Sequence, residues 1–246
     1  MSIQSDIPPN GFTNTGSICY FNSLIQALLS SKFFLNQSRP NLLFGNFLDN
    51  IYINHKWDEF FTTRVLESMG GMNPNQSSSE YLLALIEFLH LDSLFEYTYT
   101  HTRTCLTCGD TSNLIDKSIA SLVSENFVEF FSYSETIKDF YCEKCLKKVE
   151  TKRDRILSSA SPLIVISLNK YGGNKEITYP PIFKISDITY NLVSTVEHVG
   201  GLDGGHYFAR VFRNGEVYLI DDSNVSKLPD MRCIIETYLL FYERQF

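Results

Sequence analysis

The chain has 246 residues, with 21 lysines and arginines against 28 acidic residues and a formal net charge of −7. Its 43% hydrophobic and 14% aromatic content can fill a sizeable core, which excludes a disordered chain. A moderately acidic balance with no basic block argues against nucleic acid or an anionic membrane as partner.

The opening residues, Met1 to Pro9, carry neither the basic start nor the apolar run of a signal peptide. No stretch approaches the ~18 consecutive apolar residues of a membrane helix. The expected compartment is therefore the cytoplasm or nucleus, where thiols stay reduced and the 6 cysteines read as chemistry rather than disulfides.

Along the chain, residues 1–13 form an irregular lead-in rich in Pro and Gly. Phe21, Leu24, Ile25, Leu28 and Leu29 recur at helical spacing, which predicts a helix starting at or beside Cys19. A second helix is predicted from about Glu80 to Leu91, with Leu82, Leu85, Ile86 and Leu89 on one face. Ser77 and Glu80 stand at the spacing of a capping box at its start. The first ~90 residues are thus read as mostly helical.

From Tyr97 the pattern changes to strands. Cys105-Leu106-Thr107-Cys108-Gly109 and Cys142-Glu143-Lys144-Cys145 read as two tight knuckles. Leu163 to Leu168 is a buried-strand candidate, and Gly172-Gly173 stops it. Tyr190 to Val196, Tyr207 to Phe212, Val217 to Ile220 and Tyr238 to Tyr242 follow as short strands. A helical half followed by a strand-rich half predicts an α+β fold, two lobes with a cleft between them.

Three constellations could carry chemistry. Cys19 at a helix N-terminus would feel the positive end of the helix dipole, which favours the thiolate. Gly16 would let the preceding loop turn tightly, and Asn14 could offer an amide to an oxyanion. The plain alternative is a buried small hydrophobe.

A thiol nucleophile needs a base, and the base needs an acceptor on its other ring nitrogen. His206 opens one predicted strand and Asp221 closes the next, in a hairpin turning near Asn214-Gly215, so the two ends should meet. Asp222 follows directly. Taken singly, His206 could be a surface histidine and Asp221-Asp222 a solvated turn.

Cys105, Cys108, Cys142 and Cys145 offer the four thiolates that one structural zinc ion prefers, with no open position for catalysis. The 33 residues between the pairs imply a β-hairpin spanning the gap. Two redox pairs are the alternative, but neither lies in a βαβ pattern. His55, His90, His101 and His198 read as surface or core fillers, with His198 near the glycine-rich segment before His206. Cys233 reads as a packed core thiol and Trp57 as an anchor of the helical lobe.

Together these residues resemble the ubiquitin-specific proteases. Gly11 to Gln26 is similar to the family's cysteine box. Gly205 to Ala209, Asp221 to Val225 and Tyr238 to Tyr242 resemble its histidine box and C-terminal strand. Gln76 to Leu85 resembles its Gln-Asp-Ala-x-Glu-Phe-Leu helix, and Leu168 to Tyr171 its Leu-x-Arg-Phe strand. The resemblance runs in order from Gly11 to Arg244.

It implies a papain-like fold of thumb, palm and zinc-binding fingers, expected as one catalytic domain over 1–246. The approximate parts are a helical thumb (1–93), fingers (94–160) and a β-rich palm (161–246). Cys19 would be the nucleophile, His206 the base, Asp221 its orienting acid and Asn14 the oxyanion amide, with Asp222 assisting or replacing Asp221. The substrate would be ubiquitin, its Gly-Gly tail in a channel too narrow for side chains, cleaved by a monomer. The competing expectations are a silent ubiquitin-binding module and a protease for another Gly-Gly modifier.

Departures from the family pattern are Ser17-Ile18 for Asn-Thr, Ser77 for the aspartate of Gln-Asp-Ala, and Lys170-Tyr171 for Arg-Phe. The stretch Gly200 to Gly205 is expected to be a mobile loop over the cleft.

Overall fold

The computed structural model describes residues 9–38, 40–53, 59–71, 77–123, 126–169, 177–201 and 204–245. Helices come first: α1 (Cys19–Leu28), α2 (Lys32–Ser38), α3 (Leu42–Ile53), α4 (Glu59–Ser68), α5 (Ser78–Leu89) and α6 (Asp92–Phe95). Strands follow: β1 (Tyr97–Cys105), β2 (Thr111–Ser118), β3 (Ala120–Val123), β4 (Ser132–Cys142), β5 (Lys147–Ala160) and β6 (Leu163–Leu168). A one-turn 3-10 helix, Phe127–Phe130, precedes β4. The chain then forms β7 (Ile182–Ile185), β8 (Ile188–Gly201), β9 (Gly204–Arg213), β10 (Glu216–Asp221), β11 (Asn224–Leu228) and β12 (Thr237–Arg244). Trp57, His55, Gln76, Lys170-Tyr171 and Gly172-Gly173 lie outside the described residues.

The predicted capping box holds: the Ser77 hydroxyl accepts from the Glu80 amide, and Glu80 reaches back to the Ser77 amide at 3.1 Å. That pairing fixes the start of α5, and His90 ends it in the left-handed conformation. All ten residues of α1 are buried, so this helix is wedged between the other helices and a sheet.

The larger sheet has eight strands, in the order β11-β10-β9-β8-β12-β6-β3 with β7 paired to β8. Strand alternation explains why β6 is apolar throughout. Leu163 and Val165 face α1 and its neighbours, whereas Ile164, Ile166 and Leu168 face a second core holding Tyr97, Tyr99, Phe130 and Tyr190. β12 divides likewise, with Leu239 and Phe241 on one side and Leu240 and Tyr242 on the other.

The smaller sheet, β2-β1-β5-β4, corrects two expectations. No single hairpin spans the gap between the cysteine pairs; each pair closes its own hairpin, β1–β2 and β4–β5. Also, β3, within the stretch assigned to the fingers, pairs parallel to β6 in the larger sheet. The glycine segment departs from expectation too. Gly200 pairs with Gly205 and Gly201 with Gly204, so these four continue the β8–β9 ladder rather than form a loose loop.

One buried ion pair holds the centre of the larger sheet. Arg210 Nε donates to Glu197 Oε1 at 2.7 Å, with the two side chains 4% and 0% exposed. The same guanidinium donates to the Tyr179 hydroxyl, Thr237 Oγ1 and the Arg232 carbonyl, drawing two irregular segments onto the strands. Glu197→Ala would strand this cation without a partner. It should lower unfolding stability by about 3–5 kcal/mol in chemical denaturation. The joint change Glu197→Leu/Arg210→Met should recover most of that loss.

Candidate active site

The site forms where three segments meet: the end of the lead-in, the N-terminus of α1, and the facing ends of β9 and β10. Asn214 (φ 54°) and Gly215 (φ 79°) make the two-residue turn that joins β9 to β10 with the twist a hairpin requires. The ladder, in which Ile220 pairs with Ala209, carries Asp221 to His206. Asp221 Oδ1 lies 2.5 Å from His206 Nε2, and both side chains are a little over 40% exposed.

An acceptor at Nε2 implies the proton sits there, which leaves Nδ1 as the basic ring nitrogen. Upstream, Gly205 is fixed by packing. A Cβ there would fall 2.6 Å from the Val199 carbonyl oxygen and collide with His198. Of the two readings of His198, surface or core filler, the structure gives the core: it is 7% exposed and its ring lies 4.4 Å from that of Tyr207.

Cys19 is the first residue of α1 and 8% exposed. The backbone amides of Tyr207, Tyr20 and Cys19 itself face its sulfur. The thiol thus lies against the residue that follows His206. Gly16 (φ 144°) and Ser17 (φ 56°) turn the chain into the helix. Asn14 Oδ1 organises that turn by accepting from the Gly16 amide at 3.2 Å and the Ile18 amide at 3.1 Å.

The dipole argument expected a stabilised thiolate, and the structure gives the reverse. Burial pushes the Cys19 thiol up, the Tyr207 amide pulls it back, and the negative charge of Asp222 raises it further.

Asp222 adopts a left-handed conformation (φ 49°) and ties the pieces together. Its carbonyl accepts from the Phe12 amide at 2.8 Å. Its Oδ2 accepts from Asn14 Nδ2 at 3.0 Å and its Oδ1 from Asn22 Nδ2 at 2.8 Å. Gly11 passes so close to this turn that a Cβ would meet the Ser223 carbonyl at 2.5 Å. Sequence reasoning missed Asn22, although a polar residue three positions after Cys19 in an apolar helix marks the same face.

The four remaining predicted site residues gather at the tip of the smaller sheet. Cys105 and Cys145 sulfurs are 3.8 Å apart, as are those of Cys108 and Cys142, and all four lie within 4.8 Å of one another. These separations exceed a disulfide bond of about 2.05 Å, and the group could hold a metal ion. The Cys108 amide, the largest influence, holds the Cys105 thiol down to about 6. Cys233 stands apart. It is half-buried rather than a full core residue, and its sulfur exchanges hydrogen bonds with the Tyr179 backbone.

A helix-borne thiol beside the strand that carries an imidazole, on a helical lobe and an eight-stranded sheet with a cysteine-tipped extension, defines a papain-like fold of thumb, palm and fingers. Comparison with known proteins narrows the class: the chain belongs to the ubiquitin carboxyl-terminal hydrolase family, whose model matches residues 10–242.

Among curated relatives it is similar to the probable ubiquitin carboxyl-terminal hydrolase 8 of Schizosaccharomyces pombe. That match is 22% identical and covers 96% of this chain and 65% of the relative. It is also similar to ubiquitin carboxyl-terminal hydrolase 15 of Rattus norvegicus, 28% identical over 48% of this chain and 15% of that protein. The chain therefore spans less than two thirds of these relatives.

Among solved structures it resembles the SAGA Ubp8/Sgf11/Sus1/Sgf73 DUB module bound to ubiquitin aldehyde. The TM-score is 0.80 at 19% identity, covering 100% of this chain and 71% of that one. The module bound to monoubiquitin gives the same score. At this identity the likeness is one of fold.

The electrostatics can be tested directly. Alkylation of Cys19 by iodoacetamide, followed by peptide mass, should rise with pH through a midpoint above the ~8.5 of an ordinary thiol. Asp222→Asn removes a charge that disfavours the thiolate, so its midpoint should move down. An unchanged or higher midpoint would contradict this account.

Proposed function

We propose that this chain is a cysteine-type deubiquitinase, which hydrolyses the bond after the C-terminal Gly-Gly of ubiquitin through an acyl-enzyme on Cys19. The observation that carries the reading is the approach of Cys19 to the strand bearing the His206–Asp221 pair, in a chain of this family. The solved neighbours with ubiquitin or ubiquitin aldehyde bound point to the same substrate.

In this mechanism His206 Nδ1 takes the thiol proton as the sulfur attacks the terminal glycine carbonyl. A thiol pushed up by burial suits this concerted transfer, since the neutral form predominates until the base acts. Asp221 holds the ring and stabilises the imidazolium. Asn14 has one Nδ2 hydrogen on Asp222 and a second for the oxyanion, beside the first-turn amides of α1. His206 then protonates the leaving amine and later activates the water that releases ubiquitin. Asp222 serves here as a brace for Asn14, with Asp221 as the acid on the imidazole.

The four fingers cysteines fit one structural zinc ion. A tetrahedron with metal–sulfur bonds of about 2.3 Å has edges of about 3.8 Å, and two sulfur pairs lie at 3.8 Å. Zinc would cross-link the two hairpins and supply no reactive position. The parts 1–93, 94–160 and 161–246 would act as thumb, fingers and palm of one monomeric catalytic domain. Its free thiols suit the cytoplasm or nucleus.

Full-length ubiquitin carrying a C-terminal thiol-reactive group should give one adduct on the wild type, read by intact mass, and none on Cys19→Ala. A folded wild type that forms no adduct would overturn the reading and direct attention to other Gly-Gly modifiers. Asp221→Ala should lower kcat by roughly 10²–10⁴-fold, in the range of general-base catalysis. Metal analysis should find one equivalent of zinc, and its removal should lower stability more than it slows the residual folded enzyme.

A further inference from the structure

We infer that Asn22 is a positioning residue of this site, orienting Asp222 and through it the Asn14 amide; the inference rests on the hydrolytic reading above. Asn22 is 1% exposed and lies three residues after Cys19, on the same face of α1. Its Nδ2 donates to Asp222 Oδ1 at 2.8 Å and approaches the Thr13 carbonyl at 3.5 Å. The other carboxylate oxygen takes Asn14 Nδ2 at 3.0 Å, while Asn14 Oδ1 is held by the Gly16 and Ile18 amides. Both ends of the Asn14 amide are therefore fixed, and its remaining N–H can point only along the direction left by that plane. Rotation of the Asp222 carboxylate would swing that N–H, and the Asn22 contact opposes the rotation.

The buried carbonyl oxygen of Asn22 argues against a packing role. Asn22 Oδ1 has no hydrogen-bond partner among the described residues. An unpaired buried acceptor is costly, and leucine has the same branched skeleton of side-chain heavy atoms without it, as at the buried Leu24 nearby. What asparagine offers at this position is the donor to Asp222. The amide orientation follows from that partner, since the reversed rotamer would set Oδ1 against a carboxylate.

The test is steady-state kinetics on ubiquitin carrying a C-terminal fluorogenic amide, with unfolding midpoints measured on the same proteins. The set is wild type, Asn22→Leu, Asn22→Asp, Asp222→Asn and the exchange Asn22→Asp/Asp222→Asn. Asn22→Leu and Asn22→Asp should each lower kcat at least about tenfold with KM within about twofold, as for a misdirected oxyanion donor. The Asn22→Asp loss should ease toward acid pH, where a proton shared by the two carboxylates replaces the amide donor. The exchange restores both hydrogen bonds with donor and acceptor swapped, and should bring kcat back to within about threefold of wild type.

A kcat within twofold of wild type in Asn22→Leu overturns the inference, as does a loss carried wholly by KM or a folded exchange variant as slow as Asn22→Asp. A wild type that cleaves no ubiquitin substrate defeats the hydrolytic reading instead. The Asn22–Asp222 contact is then read from the unfolding midpoints, where strictly additive effects in the exchange variant overturn it.

Discussion

The active-site half of the molecule is organised by one aspartate. Asp222 turns the chain out of β10 in a left-handed conformation, and its three oxygens hold the lead-in, the loop before Cys19 and the body of α1. Asn14 and Asn22 lie 208 and 200 residues from Asp222 in sequence, so these hydrogen bonds tie the start of the chain to its last quarter. The adjacent Asp221 is thereby committed to His206. Consecutive carboxylates thus take different duties because a tight turn points them in different directions.

The arrangement has an electrostatic consequence. Burial disfavours the Cys19 thiolate most, and the Asp222 carboxylate that braces the Asn14 amide adds its negative charge to the effect. Backbone amides from Tyr207, Tyr20 and Cys19 oppose both effects. A resting thiol held neutral is protected from adventitious alkylation and oxidation, which follow thiolate character. In the mechanism proposed above, the same balance would route the reaction through proton transfer to His206 rather than through a standing ion pair.

Much of this was legible in the sequence wherever chemistry and local geometry coincide. The spacing of Phe21, Leu24, Ile25 and Leu28 gave α1, the Ser77–Glu80 pair gave the start of α5, and Asn214-Gly215 gave the hairpin that joins His206 to Asp221. The cysteine pairs pointed to one four-sulfur cluster. Features set by strand neighbours were hidden. The glycines at 200–205 carry no side chains to show alternation, so a continuing ladder reads as a loop. β3 joins β6 across 39 intervening residues through parallel pairing, for which short segments give no signal. Glu197 and Arg210 meet on adjacent strands 13 residues apart, and each alone looks like a surface charge. The role of Asp222 was open for the same reason: its partners are asparagines whose contacts exist only after folding.

The two sheets differ in what holds them. The larger has a core on each face, with rows of buried aliphatic and aromatic side chains and a buried ion pair at its centre. The smaller sheet borrows its base from the second of those cores through Tyr97, Tyr99 and Leu157, and away from that base β2 is exposed along nearly its whole length. At the tip the only apolar cluster among the described residues is Cys105, Cys142 and Val149 with Cys145 beside them, and three of those four are cysteines of the four-sulfur group. So small a cluster buries far too little surface to order two hairpins, since small units rarely fold without a metal or cross-link. The zinc proposed for the four thiolates would therefore supply the cohesion that the tip lacks. Because the knuckles close separate hairpins, a single ion would also fix β1–β2 against β4–β5, beyond the strand pairing of β1 with β5. The half around Cys19 draws its rigidity from hydrogen bonds to one aspartate, and the extension would draw its own from a metal, so that loss of the ion would loosen the tip while the groups around Cys19 stay in place.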